Sequence, residues 1–279
     1  MLSSVSAEAE TLYVTGPNGR FAYRRFGSGT GIPLVMALRF RGTIDHWDPA
    51  FLDRLACGHD VIVFDNLGTG RTTGVAPTTI DGLGAGLVEF VVALGLTQVD
   101  LLGWSLGGIV AQAATLQSPQ LVRRLIVAGS SPGGGVPDMP PTDERAWQVA
   151  TKPVNTDDDF LYLFFPETDE ARRLGLASLR RLDSRLQSAG HAPVSADTVQ
   201  AQLAVVGSIG SSIWDRMSEL TLPILVANGA HDVMIHSFAT YAMALALPKA
   251  KAVFYSDAGH AFLFQHIEDF IREVDEFLE

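Results

Sequence analysis

Three residues at three places in this chain have the types and order needed for acyl transfer. Gly103-Trp104-Ser105-Leu106-Gly107 sets a serine between two glycines. An apolar run from Val99 to Leu102 precedes it, and a run of small and apolar residues follows. That order predicts strand, sharp turn, helix, the arrangement of a nucleophile elbow. The turn holds the serine in a strained backbone with its hydroxyl projecting, and only small neighbours two residues away let strand and helix approach so closely. The helix aims its free N–H groups and positive dipole end at the place where an oxyanion would form. Alone, the pattern arises by chance in roughly one chain in ten of this length. A serine nucleophile also needs an orienting acid and a base downstream. Asp232 closes Asn228-Gly229-Ala230-His231-Asp232, directly after one strand-like run, and His260 closes Ser256-Asp257-Ala258-Gly259-His260, after another. Such positions face the ligand crevice of a parallel sheet. Asn, Gly and Asp are also ordinary turn residues, and His260 could cap the final helix. Serine, acid and histidine in this order nevertheless make a full set.

The elements that must position these groups follow from the hydrophobic pattern. Runs at 11–15 and 21–26 flank Gly16-Pro17-Asn18-Gly19 and predict an opening hairpin. Continuous apolar runs at 33–38 and 61–65 predict strands buried in a parallel sheet, and the strand-like runs at 99–102, 121–127, 223–228 and 250–255 predict its further strands. Thr78 and Asp81 have the spacing of a capping box before a periodic helix from Ile80 to Leu94, which Gly82, Gly84 and Gly86 weaken in isolation. Between Pro132 and Trp214 the rhythm changes to proline, charge and helical periodicity, and a closing amphipathic helix runs from Ala261 to Leu278. Strands alternating with helices predict a mostly parallel, doubly wound α/β sheet. Residues 1–132 and 214–279 form its core domain, and residues 133–213 form an inserted helical unit.

Composition narrows the function classes. A chain of 279 residues, 47% of them hydrophobic, carries a sizeable core, and its net charge of −11 argues against nucleic acid and anionic membranes as partners. Cys57 is the sole cysteine, so no internal disulfide forms. With neither a signal peptide nor a transmembrane run in the pattern, the expected location is cytoplasmic. No cofactor or metal is expected: His231 beside Asp232 lacks further ligands at metal-site spacing. Gly68-x-Gly70 lacks the rest of a dinucleotide fingerprint. Asp157-Asp158-Asp159 reads as a helix start, not a calcium loop. His46, His59, His191, His236 and His266 read as surface or loop histidines.

These motifs resemble the α/β-hydrolase superfamily over nearly the whole chain. Gly103-Trp104-Ser105-Leu106-Gly107 is similar to its elbow, and Asp65-Asn66-Leu67-Gly68-Thr69-Gly70-Arg71-Thr72 to its Asp-x-x-Gly-x-Gly-x-Ser loop. Gly229-Ala230-His231-Asp232 and Ala258-Gly259-His260 resemble its acid and histidine loops. The resemblance implies a triad of Ser105, Asp232 and His260, with the insertion as a cap. An elbow serine argues against the haloalkane dehalogenase and epoxide hydrolase branches, which use aspartate there. The family usually has His-Gly and then an oxyanion donor after its third strand. Counting back from Trp47, Leu38 and Arg39 replace His-Gly, so Phe40 and Leu106 are the expected donors.

The implied activity is a serine hydrolase acting on an ester or lactone of a small to medium, largely apolar molecule. Carbon–carbon bond hydrolysis, cofactor-free perhydrolysis and a non-hydrolytic binding role are the alternatives, since fold does not fix function. Arg39, Trp104, Phe160, Phe164 and Phe165 are candidate substrate contacts. An aromatic cluster such as Phe160 to Phe165 is more often core of the insertion than substrate wall. Arg39 is expected either to pair with Asp45, Asp48 or Asp65 or to receive a substrate carboxylate or enolate.

Overall fold

A computed structural model describes residues 4–28, 30–188, 193–207 and 212–279. Its strands are β1 (Leu12–Thr15), β2 (Arg20–Phe26), β3 (Leu34–Ala37), β4 (Val61–Phe64), β5 (Val99–Trp104), β6 (Val122–Ala128), β7 (Ile224–Gly229) and β8 (Ala250–Tyr255). They form one sheet in the order β1-β2-β4-β3-β5-β6-β7-β8. β1 and β2 make the opening hairpin, β2 pairs antiparallel with β4, and all later pairings are parallel. After β3 the chain crosses to β4 on one side and returns to β5 on the other. The crevice at the carboxyl ends of β3 and β5 is therefore the switch point where doubly wound sheets bind ligands.

The helices are α1 (Val5–Glu8), α2 (Pro49–Leu55), α3 (Ile80–Ala93), α4 (Leu106–Gln117), α5 (Glu144–Ala150), α6 (Asp157–Phe164), α7 (Asp169–Ser188), α8 (Ala196–Val206), α9 (Phe238–Ala246), α10 (Phe262–Gln265) and α11 (Ile267–Leu278). Strand side chains alternate between faces, so the sheet carries two cores. Leu34, Met36, Val61, Val63, Leu102 and Trp104 pack beneath α2, α6, α7, α10 and α11. Val35, Ala37, Ile62, Phe64, Leu101 and Val127 pack beneath α3, α4 and α9. Helices α5 to α8 lie between β6 and β7, within the span whose rhythm changes in the sequence. None of the described helices is long and apolar enough to cross a membrane.

Local details differ from the pattern-based reading in small ways. The cap of α3 is Thr79, one residue after the expected Thr78: Thr79 has the extended backbone of an N-cap, and its hydroxyl accepts from Gly82 N–H at 3.0 Å. β6 starts and ends one residue later than expected. The closing helix is broken at His266, whose ring stacks on Tyr255 and bonds Asp257. Asp157–Asp159 do open a helix, with Thr156 and Asp159 forming its capping box.

Candidate active site

Ser105 sits between β5 and α4 with φ 59° and ψ −125°, a conformation L-residues rarely adopt. Two glycines permit it. A Cβ on Gly103 would collide with the Gly107 carbonyl, and one on Gly107 with the Ala37 carbonyl of β3. The elbow is held from the next strand: Ser105 N–H donates to the Ala128 carbonyl at 2.9 Å, and Ser130 Oγ donates to the Ser105 carbonyl at 2.6 Å. Leu106 opens α4, so its N–H has no carbonyl one turn back to bond.

Asp232 follows β7 and His260 follows β8. Asp232 Oδ1 accepts from the N–H groups of Met234 and Ile235, both at 2.8 Å, and its Oδ2 lies 2.7 Å from His260 Nδ1. A carboxylate only accepts, so Nδ1–H donates this bond, and in a neutral imidazole so oriented Nε2 keeps its lone pair. Nε2 is buried and has no hydrogen-bond partner. Ser105, Asp232 and His260 are all buried. Trp104, the residue before the serine, ties the two loops together: its Nε1–H donates to the His260 carbonyl at 3.0 Å, and its ring lies 5.6 Å from the imidazole. Phe164 of α6 packs against both rings, and its carbonyl accepts from Ala261 N–H at 2.9 Å.

A cavity of about 700 Å³ opens over the elbow, and Ser105, Leu106, Phe40 and Asp232 all line it. Ile80 of α3 and Ile109 of α4 wall it, with Ala146, Trp147 and Ala150 from α5, and Val205 and Val206 from α8. Val233, Met234, Ile235 and His236, which follow Asp232, complete one side. The lining is mostly apolar; among the described residues it includes Asp143 and His236 but no lysine or arginine.

Several candidate contacts lie elsewhere. Trp104, Phe160, Phe164 and Phe165 do not line this cavity; they pack into the core beneath α6 and α7. Arg39 does not line it either. None of the three carboxylates expected beside Arg39 pairs with it, because other arginines or amides hold each one. Arg24, Arg71 and Arg185 bind Asp45. Arg181 and Ser178 of α7 bind Asp48. The N–H groups of Ile44 and Arg71 bind Asp65. Arg39 instead donates to the Phe40 carbonyl at 2.9 Å and lies 5.3 Å from the Phe164 ring and 5.9 Å from Trp104. Its Nε is buried without a partner. Burial, with the charge of Arg41 adding to it, pulls its pKa down to about 10. The other histidines take local roles: His46 bonds Thr43, His59 bonds Asp275, and His236 accepts from Phe238 N–H. His191 lies outside the described residues. No group of three or more His, Cys, Asp or Glu among the described residues is arranged to hold a metal.

Nothing in the sequence pattern singles out the cavity residues Trp147, Val205 and Val206, whereas Val233 to Ile235 carry a usable signal in their adjacency to Asp232.

A mostly parallel sheet in this order, with an elbow serine after its fifth strand, defines the α/β-hydrolase class. The chain belongs to the alpha/beta hydrolase family, whose profile matches residues 29–273. It is similar to an α/β-hydrolase-fold protein of Chitinophaga pinensis, with 32% identity, a TM-score of 0.88 and 99% of each chain covered. It is 25% identical over 268 residues to a pimeloyl-[acyl-carrier protein] methyl ester esterase of Aliivibrio salmonicida, spanning 91% of this chain and 94% of that one. It is 26% identical over 238 residues to a 2-hydroxy-6-oxononadienedioate/2-hydroxy-6-oxononatrienedioate hydrolase of Pseudomonas putida, spanning 81% of this chain and 79% of that one.

Proposed function

We propose that this chain is a serine hydrolase that cleaves an ester or lactone of a small to medium, largely apolar molecule. His260 Nε2 takes the Ser105 proton as Oγ attacks the carbonyl carbon, and Asp232 holds the imidazole and stabilises the imidazolium. The N–H groups of Leu106 and Phe40 receive the oxyanion. His260 then gives the proton to the departing alkoxide, leaving an acyl-serine. Water, activated by the same nitrogen, releases the acid. Residues 133–213 act as the cap, with α5 and α8 shaping the pocket and excluding water.

The observation that carries this reading is the convergence of Ser105, Leu106, Phe40 and Asp232 on one mostly apolar cavity. The esterase named among the relatives supports the ester reading. The lining charge favours it over hydrolysis of a dicarboxylate such as the dienedioate of the Pseudomonas relative. An anionic substrate would meet Asp143 with no lysine or arginine among the described residues of the wall. The solitary Cys57 agrees with a reducing, cytoplasmic setting. A series of p-nitrophenyl esters with a fluorophosphonate label tests the proposal. Turnover together with labelling that Ser105→Ala abolishes is expected; an unlabelled protein that turns over none of the esters would overturn it.

A further inference from the structure

Arg41 stands next to Phe40 and has φ 56°, left-handed backbone for a side chain that gains nothing from it locally. Two attachments hold it there. Its N–H donates to Oε1 of Gln202, a buried residue of α8, at 2.9 Å. Its guanidinium forks onto the chain just beyond α5: Nη1 donates to the Lys152 carbonyl at 2.7 Å and Nη2 to the Pro153 carbonyl at 2.8 Å. Longer contacts of 3.5 Å reach the Ala150 carbonyl and Asn155 Oδ1. A cation at the carbonyl end of a helix is favourably placed. Asn155 Nδ2 donates to the Val149 carbonyl at 2.7 Å, so the segment that Arg41 grips is itself folded back on α5.

These bonds join three elements that line one cavity. Phe40 lines it from the β3 loop, Ala146, Trp147 and Ala150 from α5, and Val205 and Val206 from α8. Arg41 holds the segment just beyond α5 by its side chain and α8 by its backbone. We propose that Arg41 is a positioning residue, which sets the Phe40 N–H in the oxyanion hole by fastening its loop to the helical insertion. This rests on the hydrolase reading above. The Phe40 N–H is in register with the oxyanion only while the insertion is docked, so pocket closure and completion of the hole are one event. Among the described residues Arg39 makes no hydrogen bond to the insertion: its guanidinium donates to the adjacent Phe40 carbonyl and otherwise lies near the Phe164 ring of α6.

The test compares wild type, Arg41→Ala, Arg41→Lys and Gln202→Ala. Turnover of p-nitrophenyl butyrate is measured per active site, counted with a fluorophosphonate. A butyl trifluoromethyl ketone, whose hemiketal oxygen occupies the hole, reports oxyanion binding. Loss of one oxyanion donor costs about 100- to 1000-fold, and misplacing it costs less. Arg41→Ala should lower kcat about 30- to 100-fold with KM within about threefold, and ketone affinity should fall by the same factor as kcat/KM. Arg41→Lys, whose ammonium can satisfy one carbonyl, should recover about tenfold of the loss. Gln202→Ala should move the same quantities in the same direction by a smaller factor, and it keeps the test open if Arg41→Ala does not fold. Unchanged kcat per active site, or a loss that reflects only fewer titratable sites, overturns the proposal. So does ketone affinity that stays at the wild-type value. A wild-type protein that neither labels nor turns over would instead remove the hydrolase reading.

Discussion

Phe164 separates two roles that an apolar side chain in a pocket-bearing insertion can take. Its ring is buried, 4.4 Å from Phe160, 5.7 Å from Trp104 and 5.5 Å from His260, and it does not line the cavity over Ser105. Phe164→Ala therefore removes a core ring. Such truncations cost about 3–5 kcal/mol, and in a domain of this size each kcal/mol lowers Tm by about 2–4 °C. The expected fall is thus roughly 6–20 °C by scanning calorimetry. The imidazole loses one of its flanking rings, so kcat should drop by about tenfold as His260 gains freedom. The ratio of kcat/KM between p-nitrophenyl acetate and octanoate should stay within about twofold, because a pocket contact worth one methylene changes such ratios by roughly 10-fold or more. A Tm within about 2 °C of wild type, together with a tenfold change in that ratio, would refute the core assignment and put Phe164 in the substrate wall.

Trp147 of α5 makes the opposite case: it lines the cavity and is half exposed, so Trp147→Ala should shift acyl preference toward longer or bulkier esters by about tenfold with little change in Tm. Ser105→Ala and His260→Ala should each lower kcat by about a millionfold, Asp232→Asn by about ten thousandfold, and the Ser105–His260 double variant should be no worse than either single one. Losses that multiply in the double variant would show that the residues do not act as a unit. Asp65 gives a pH prediction: burial pushes its carboxyl up to about 6, with the Asp45 charge adding to this and the Arg71 and Ile44 amides opposing it. Its folded pKa lies above the unfolded value of 3.8, so the folded state takes up the proton first. The group's contribution to stability must therefore rise as pH falls from about 6 to about 4. Urea unfolding of wild type and Asp65→Asn across that range should show wild type gaining on the variant by up to about 3 kcal/mol, and a relative loss would contradict the assignment.

What could be read from the sequence was whatever the backbone constrains locally. The elbow was legible because the Gly103–Ser105–Gly107 spacing answers a collision with the carbonyls of Gly107 and Ala37. Asp232 and His260 were legible as candidates because each follows the last residues of a strand run. The faces of the insertion were not. α6 and α5 both carry aromatic residues, but α6 turns Phe164 toward the sheet while α5 turns Trp147 toward the cavity. Each side chain satisfies the same apolar pattern, so only the packing of the folded chain separates them. Arg39 was illegible for a different reason. Asp45 and Asp48 follow Arg39 closely in sequence and Asp65 ends the next strand-like run, so the sequence offers all three as its partners. Ion pairing, however, is a competition decided in space. Arg24 comes from β2, Arg71 from the loop after β4, and Arg181 and Arg185 from α7, and between them these arginines occupy Asp45 and Asp48. Backbone amides occupy Asp65, which leaves Arg39 to the rings of Phe164 and Trp104. A buried charge is costly unless it is bonded, and the chain meets this with distant cations on near acids. The same arrangement fastens α7 of the insertion to the loop after β3 through Asp48 and Arg181. Arg41 fastens the segment just beyond α5 to that loop at a second point, so the loop that carries Phe40 is tied at Arg41 and again at Asp48.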